Sequence, residues 1–465
     1  MSKNPNFIHP YIPNSASAVE QDMLQEVSES AAENLYKVIP PQLKLNRKLD
    51  LPEPFLSEYE LKKHMQSILD KNKSCEEYVS FLGAGCWPHY VPSVCDEVNN
   101  RAEFLTAYWG DTYSDFGKWQ AMFEYQSMMG ELLDMEVVST PTYDWSSAVS
   151  SALMMSARIT GRSEALVIST TSAERLMHMH NFCHEKLQIK LLQHYSDTGL
   201  MDLQDLKNKI SSNTAAVYFE NPGFLGFMES QGEQIAEIAH AAGALVVVGV
   251  DPSSLGIMAP PISYGADIVC GDAQPFGNHM NYGGGVCGFI ATRDEERFVA
   301  EYPTLLISIV GGKTEKEWGF GQCTHDRTSY VRRELSPDFI GTSQWLCAIT
   351  TAVYLSLMGP AGMKELGEGI MRRCAYAMKK IKDIDGVDVP LSALPHFKEF
   401  IVNFDATGKW VAEINKRLLD KGIFGGKDLS REFPDLGQSA LYCVTEIHTK
   451  DDVDNLVKAL KEVLK

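Results

Sequence analysis

No run of apolar residues in this sequence is long enough to cross a membrane. The longest strongly apolar stretch, about 244–250, is far shorter than the roughly 20 residues that a membrane-spanning helix needs. The N-terminus carries neither an apolar signal core nor an arginine-rich amphipathic pattern, so neither secretion nor organelle import is indicated. We therefore expect a cytoplasmic protein without a membrane partner.

Positive charge and paired cysteines are also scarce. The 465 residues contain 42 Lys and Arg against 61 Asp and Glu, a formal net charge of −19, which argues against a nucleic-acid partner. The ten cysteines form no CxxC pair, and this spacing favours reduced, buried thiols over a disulfide framework or a zinc ribbon. With 44% hydrophobic and 22% charged residues, the chain has the composition of a globular protein with a large core.

The first part of the chain differs in pattern from the rest. Residues 1–75 predict an N-terminal arm, in which proline-rich stretches separate helices at 18–36 and 57–71. Ser57 is the expected N-cap of the second helix. The arm has too little apolar surface to fold alone, so we expect it to wrap over its own body or over a partner.

Strand-like runs alternate with amphipathic helices from about 165 to 292. This alternation predicts a large α/β domain over residues 76–345, with a mostly parallel sheet that binds ligands at the carboxyl ends of its strands. Residues 346–465 predict connecting helices, broken near Gly359-Pro360, and a small α+β domain. The strand-like runs of the large domain are 165–169, 187–192, 215–219, 244–250, 267–270 and 286–290.

Two features at predicted strand ends concern pyridoxal-phosphate chemistry. Asp251 directly follows the most apolar strand, where an aspartate can pair with the pyridinium nitrogen of the cofactor or simply cap an Asp-Pro turn. Such an enzyme also needs a lysine for the Schiff base. The sequence has no lysine between Asp251 and Gly312, and Gln274 and Pro275 stand where the lysine would be expected. A chain of this fold could not form its own Schiff base at the usual place.

Other polar signals each have a plain structural alternative. Ser146 and Ser147 precede a predicted helix at 148–160, where they could bind a cofactor phosphate or act as N-caps. The glycines 283–285 could form an anion-binding nest or an ordinary turn. Arg332, beside a second arginine, could hold a carboxylate or phosphate, whereas the structural alternative for at least one of the two is a solvated surface.

Four residues at helical spacing could suggest a metal site. They are His178, His180, Cys183 and His184. No carboxylate or second Cys/His set of ligand spacing accompanies them, so we interpret the cluster as not binding metal.

Several motifs together resemble the glycine cleavage P-protein family, in particular the alpha chain, or subunit 1, of its two-subunit form. The similarity runs from about residue 9 to the C-terminus. The motifs are YIPN at 11–14, FLGAGCWPHYVP at 81–92, RAEFLTAY at 101–108, FEYQ at 123–126, YGADIV at 264–269, GIFGGK at 422–427 and VTE at 444–446.

The resemblance implies a fold-type I pyridoxal-phosphate architecture, in a heterotetramer of two alpha and two beta chains. It implies an aminomethyl-transferring oxidoreductase, which decarboxylates glycine oxidatively and passes the aminomethyl group to the lipoyl group of H-protein. The beta chain carries the lysine and the cofactor in that family, and the absence of a lysine at Gln274 agrees with an alpha chain.

Three segments depart from the family pattern. The chain has WGDTYSDFGK at 109–118 where the family usually has TPYQPEISQG, and LSPDFIGT at 335–342 in place of KATSNICT. Trp145 replaces the glycine of the family's YDGAT motif. These changes motivate the hypothesis of a divergent paralogue whose complex, a pyridoxal-phosphate decarboxylase or lyase, acts on another amino acid.

The candidate site residues fall into two groups. Possible cofactor-binding residues, which are vestigial if the partner holds the cofactor, are Ser146, Ser147, Asn221 and Asp251. Residues expected to face the substrate or the partner are Tyr108, Trp109, Tyr113, Trp145, His279, Arg332 and Thr342. Two alternatives remain open, a non-catalytic scaffold and a self-sufficient enzyme that uses a distant lysine such as Lys313.

Overall fold

A computed structural model describes residues 16–47, 49–105, 116–283, 286–314, 316–335, 338–341 and 343–465. The chain forms two compact units, Met1–Lys73 and Ser74–Lys465. The division between a large and a small domain near residue 345 stays a prediction.

The N-terminal unit contains two helices, α1 (Ser17–Glu26) and α2 (Glu58–Leu69). The hydroxyl of Ser57 accepts the amide hydrogen of Glu60 at 3.1 Å, which confirms the predicted N-cap. The prediction of one helix over 18–36 is wrong, because the chain enters the left-handed region at Ser28, with φ of 60°. None of the described residues of this unit is buried.

The second unit contains the remaining elements. Its first half comprises β1 (Val79–Ser80), α3 (Ser93–Asn99), α4 (Phe116–Leu133), β2 (Val137–Val138), α5 (Trp145–Thr160), β3 (Glu164–Ile168), α6 (Ala173–Cys183), β4 (Gln188–Leu192), α7 (Leu203–Lys209), β5 (Thr214–Glu220), α8 (Gly232–Ala241), β6 (Leu245–Val250), β7 (Ile268–Asp272) and β8 (Gly288–Thr292). The second half comprises α9 (Glu296–Val299), β9 (Ile307–Gly311), β10 (Trp318–Gln322), α10 (Trp345–Lys382), β11 (Glu399–Asn403), α11 (Val411–Leu419), β12 (Ile423–Phe424), β13 (Lys427–Asp428), β14 (Ser439–Cys443) and α12 (Lys450–Val463).

A seven-stranded sheet forms the centre of this unit, in the order β2-β8-β7-β6-β5-β3-β4. The five strands from β7 to β4 are parallel, whereas β8 and β2 are antiparallel to their neighbours. All six strand-like runs are strands whose bounds lie within two residues of the prediction. The predicted α/β class is confirmed.

Both faces of the sheet are covered, as a buried parallel sheet requires. Along β6, Val246 and Val248 belong to the core that contains residues of α4, α8 and α10. Val247 points to the other core, which contains residues of α5 and α6. The alternation of β6 side chains therefore joins two cores across one strand.

The long helix α10 connects the central sheet to a smaller three-stranded antiparallel sheet, β11-β14-β13. It is broken at Gly359, whose φ is 57°, directly before Pro360, which confirms the predicted break. Among the described residues, α10 is the one helix long and apolar enough to cross a membrane by length and composition. Its break and its many buried side chains are typical of a core helix.

Candidate functional site

Asp251 lies at the carboxyl end of β6, and only 4% of it is exposed. One carboxylate oxygen accepts hydrogen bonds from the amide and the hydroxyl of Ser253, at 3.1 and 2.7 Å. The other oxygen lies 2.7 Å from Nζ of Lys398, which directly precedes β11 and is itself buried. A lysine from a distant part of the sequence therefore balances this buried carboxylate.

Lys398 continues a polar chain toward solvent. Its Nζ lies 4.2 Å from the ring centre of Trp87 and 2.8 Å from Nε2 of His89. Nδ1 of His89 lies 2.7 Å from a carboxylate oxygen of Glu446, which is partly exposed. Burial and the charge of Lys398 lower the pKa of His89, so we assign a neutral ring that accepts from Lys398 and donates to Glu446.

Trp145 is packed beneath a second buried ion pair. The guanidinium of Arg175 lies 3.9 Å from the centre of the Trp145 ring and donates to Glu220 at 2.8 Å. The indole N–H donates to the hydroxyl of Tyr218 at 3.1 Å, and that hydroxyl donates to Glu220 at 2.9 Å. Burial acts to lower the pKa of Arg175, but the carboxylate of Glu220 more than offsets this, so the pKa is raised and the charge is kept.

The N-terminus of α5 is capped by Asp144 rather than by a serine. Its carboxylate accepts the amide hydrogen of Ser147 at 2.7 Å, and the hydroxyl of Ser147 accepts the amide hydrogen of Asp144 at 3.0 Å. The N-cap alternative for Ser146 and Ser147 is therefore wrong, because Asp144 occupies the cap and Ser147 is the third helical residue. A carboxylate fixed at this helix end repels a phosphate.

Gln274 fastens the loop that contains Trp87 to the end of β7. Its side-chain oxygen accepts from the amide of Trp87 at 3.0 Å, and its side-chain nitrogen donates to the carbonyls of Trp87 and Asn278, both at 3.1 Å. The amide side chain at the place expected for a Schiff-base lysine is thus fully used in holding the backbone.

These groups leave almost no space around Asp251. The cavity has a volume of ≈ 20 Å³, which accommodates about one water molecule. Its walls include Trp87, Trp145, Arg175 and Lys398. Around Asp251 the residues present do not fit pyridoxal phosphate, because the cavity is too small for the ring, the carboxylate that could pair with a pyridinium is paired with Lys398, and the N-terminus of α5 carries the carboxylate of Asp144.

An open cleft of ≈ 310 Å³ shares Trp145 and Arg175 with this cavity. Asp272, at the end of β7, is a buried wall residue of the cleft and accepts the amide hydrogen of Gln274 at 3.0 Å. Burial raises its pKa to about 7. Other lining residues are Gly85, Cys86, Asp144, Ser146, Glu174 and Lys427.

The remaining cofactor candidate, Asn221, does not line either space among the described residues. Its amide nitrogen donates to the carbonyl of Glu229 at 3.2 Å, and its oxygen accepts from the amide of Glu229 at 3.1 Å. Asn221 therefore holds a turn after β5, while Ser146 lines the cleft and Asp251 lines the cavity.

The residues expected to face substrate or partner are spread over the unit. His279 is 66% exposed at its side chain and lies 2.9 Å from Asp96. Arg332 donates to Glu301 at 2.5 Å and to the carbonyl of Ala300 at 3.3 Å. Four further candidates lie outside the described residues: Tyr108, Trp109, Tyr113 and Thr342. Of this group, the structure places Trp145 at the walls of both spaces.

The histidine and cysteine cluster on α6 engages neighbouring groups of the protein. Nδ1 of His178 lies 2.8 Å from the hydroxyl of Ser150, and Nδ1 of His184 lies 2.9 Å from the carbonyl of Asn181. Within the ranges that the structure describes, no group of three or more His, Cys, Asp or Glu residues is arranged to hold a metal ion.

The sequence pattern did not reveal four residues of the site: Arg175, Glu220, Lys398 and Glu399. Glu399 is buried beside Lys398 and accepts the amide hydrogen of Ala84 at 2.5 Å. Burial raises the pKa of Glu399 to about 7. Two charged residues at the start of a strand-like run were the available signal, since Lys398 directly precedes the run at 399–404 and Glu399 begins it.

Comparisons with known proteins agree over the whole chain. The model of the family described as glycine cleavage system P-protein matches residues 9–460. A probable glycine dehydrogenase (decarboxylating) subunit 1 of Staphylothermus marinus is 37% identical, with 98% of each chain covered. The protein of the same name from Pyrococcus furiosus is 38% identical, with 98% of this chain and 99% of that chain covered.

Two solved structures are also similar. The crystal structure of glycine decarboxylase (P-protein) of the glycine cleavage system, in an inhibitor-bound form, superposes with a TM-score of 0.83 at 31% identity, covering 98% of this chain and 100% of that chain. The sphingosine-1-phosphate lyase of Burkholderia pseudomallei has a TM-score of 0.63 at 14% identity, over 92% of this chain and 94% of that chain. The second similarity shows the shared fold.

Proposed function

Because the chain belongs to the glycine cleavage system P-protein family, we propose that it is the lysine-lacking subunit of a two-subunit decarboxylating glycine dehydrogenase. The observation that carries the proposal is the filled cavity at Asp251, where Lys398 replaces a cofactor cation. Pyridoxal phosphate and its Schiff-base lysine then belong to a homologous second subunit, in a cytoplasmic complex with two copies of each chain.

The proposed reaction splits glycine and uses the lipoyl group of H-protein as the oxidant. The bond between the α-carbon and the carboxylate breaks, and CO₂ leaves. The aminomethyl group forms a bond with one sulfur of the lipoyl disulfide, and the other sulfur takes a proton and becomes a thiol. No step of this reaction passes through Asp251 of this chain, because its cavity admits no cofactor.

We place the substrate- or partner-facing role of this chain at the open cleft. Its wall carries a hydroxyl at Ser146 and a carboxyl at Asp272, whose pKa of about 7 allows both protonation states near neutral pH. Asp272→Asn in the complex should therefore reduce turnover, whereas Cys86→Ser, a change at the same wall, should leave it within about twofold. If Asp272→Asn, Cys86→Ser and the wild type all had the same turnover, the open cleft would not have the substrate- or partner-facing role.

Spectroscopy of the assembled complex tests the cofactor assignment. We would co-express the chain with the second-subunit homologue encoded nearest to it and record the visible spectrum with and without glycine. We expect a band near ~420 nm that is present in the complex, absent from this chain alone and shifted by glycine. Borohydride reduction and peptide mapping should label a lysine of the second subunit, and a label on Lys313 or Lys398 would overturn the proposal.

One observation favours a second candidate, a complex of the same kind that acts on another amino acid. The bulky Trp145 lines the cleft where the family motif has glycine. A cofactor band that responds to another amino acid and not to glycine would establish that candidate.

A non-catalytic scaffold makes a different prediction. Trp145→Gly, Tyr108→Phe and Arg332→Ala would then all leave the turnover of the complex unchanged. A loss of about tenfold for any of them, with assembly intact, would exclude a scaffold without influence on the chemistry.

A further inference from the structure

A groove lies along the second half of α10 and is formed by other residues than the site described above. It consists of two adjoining spaces of ≈ 360 and ≈ 410 Å³, which share Met371 and Ala375 in their walls. Each volume falls within the range of about 300–1,000 Å³ that is typical of small-molecule sites. All lining residues belong to the second unit, and none of them lines the cavity at Asp251 or the open cleft. We call this feature the α10 groove.

Most of the wall of the α10 groove is apolar and adaptable. Four methionines line it: Met228, Met258, Met371 and Met378. Methionine side chains are flexible and polarizable, so a wall of this kind can adjust to an apolar ligand. Along α10 the wall continues from Met371 to Met378, a helix length of roughly 10 Å. The length and the apolar wall suit an unbranched hydrocarbon chain.

Positive charge is concentrated beside this apolar wall. Residues 371–382 contain five Lys and Arg and no Asp or Glu, in a chain whose net charge is −19. Lys379 and Lys382 line one of the two spaces, and both are exposed to solvent. Nζ of Lys382 donates to the hydroxyl of Ser392 at 3.0 Å, a neutral partner that leaves the positive charge available to an anion.

The wall beside these lysines also contains a buried acceptor. Nδ1 of His396 donates to the carbonyl of Leu394 at 2.9 Å, and only 4% of His396 is exposed. Burial lowers the pKa of His396, so the ring is neutral and Nε2 carries a lone pair. Among the described residues, Nε2 has no hydrogen-bond partner. A buried acceptor without a partner is unfavourable, and a ligand hydroxyl or N–H would satisfy it.

We propose that the α10 groove binds an amphipathic carboxylic acid, with the carboxylate at Lys379 and Lys382 and an unbranched apolar chain along the methionines. The opposite orientation is disfavoured, because Glu368 lines the other space, where it would repel a carboxylate. Exposed cations attract an anion weakly in water, so both the charge and the apolar chain are needed for affinity. The inference is independent of the proposed function.

Isothermal titration calorimetry of the full-length chain tests the ligand class. The probes are octanoate, which has both parts, 1-octanol, which lacks the charge, and acetate, which lacks the chain. We expect a dissociation constant below about 1 mM for octanoate and values at least tenfold higher for the other two. A wild-type chain that does not bind octanoate, or that binds octanol equally well, would overturn the inference.

Substitutions then test the location. Lys379→Ala with Lys382→Ala should raise the dissociation constant for octanoate at least fivefold. The matched control, Lys458→Ala with Lys461→Ala, removes the same charge from exposed positions of α12 that do not line the groove, and it should stay within twofold. Equal effects of the two pairs would contradict the placement of the carboxylate.

A second variant fills the groove without changing its charge. Ala375 is exposed and lines both spaces, so Ala375→Trp should block the chain of the ligand while leaving the core intact. We expect octanoate binding to be lost and the circular dichroism spectrum to be unchanged. Undiminished binding to this variant would place the ligand outside the α10 groove and overturn the inference, although the proposed function would stand.

Discussion

The cavity at Asp251 and the N-terminal unit differ in how far their side chains are buried and partnered within the chain. Around Asp251, each charged side chain is buried and has a partner within the chain, as in the pairs with Lys398 and between Arg175 and Glu220. In the N-terminal unit, eighteen large apolar side chains are exposed. The cavity at Asp251 is closed by groups of the chain itself, whereas the described residues of the N-terminal unit leave many apolar side chains exposed.

This difference indicates where the chain depends on other molecules. A buried network whose charged groups are paired within the chain has little to gain from a charged ligand, and breaking one of its pairs costs stability. An exposed apolar surface gains free energy only when another surface covers it. Substitutions around Asp251 should therefore lower the free energy of unfolding, whereas substitutions of exposed residues in the N-terminal unit should leave it nearly unchanged.

The largest effect on stability is expected from Lys398→Met. Removing the ammonium leaves the carboxylate of Asp251 buried and unpaired, which should lower the free energy of unfolding by about 3–5 kcal/mol. Adding Asp251→Asn should restore at least half of that loss, because the remaining amide is neutral. Urea unfolding followed by circular dichroism measures both, and a single variant that loses less than about 1 kcal/mol would contradict the importance of this ion pair.

A somewhat smaller effect is expected at Trp145. Trp145→Ala removes the surface beneath Arg175 and should cost about 3 kcal/mol, whereas Trp145→Phe keeps a ring there and should cost about 1 kcal/mol. Trp410, which is 69% exposed, offers a matched control, and Trp410→Ala should stay within about 0.5 kcal/mol. Equal losses for Trp145→Ala and Trp410→Ala would show that the cavity wall does not depend on the indole.

The next effect depends on pH. Glu399 has a folded-state pKa of about 7 because of burial, above the ordinary value of 4.5, so between these values the folded chain keeps a proton that the unfolded chain has released. Stability should therefore fall as pH rises through this window. Glu399→Gln should reduce the difference in unfolding free energy between pH 5 and pH 8 by on the order of 2 kcal/mol. An unchanged difference would place the titration on another group, such as Asp272.

The smallest effect on stability is expected in the N-terminal unit. Leu61→Glu should change the free energy of unfolding of the isolated chain by no more than about 0.5 kcal/mol, because Leu61 is already exposed. Leu456→Ala, at a fully buried position of α12, should cost about 2–5 kcal/mol and serves as the comparison. A large loss at Leu61 would mean that the N-terminal unit stabilises the isolated chain.

The strands of the central sheet could be predicted because their apolar runs are short, rich in β-branched residues and bounded by turns. The helix α4 was missed, since large apolar side chains occur on several of its sides. Met122, Tyr125 and Met129 are fully buried, and the sequence shows no clear polar face there. The hairpin of β9 and β10 was also missed, because its glycine-rich strands are largely exposed.

The site was predictable to a smaller extent. Asp251 stood out by its position after an apolar strand, and Trp145 stood out as a departure from the family motif. The pairing of Asp251 with Lys398 could not be inferred, because the two residues are distant in sequence and meet only when the loop before β11 reaches the end of β6. Long-range pairing of this kind is a property of the folded chain, not of a local pattern.

The hydrogen bonds of the Gln274 side chain limit how this chain could bind a cofactor of its own. A lysine at position 274 would lose the three hydrogen bonds to Trp87 and Asn278, and the cavity beside Asp251 would still hold no more than about one water molecule. Each single change toward a functional site would thus be destabilising before it was useful. Several residues of this chain thus act together against a cofactor at this place, so that changing one of them alone would not make room for it.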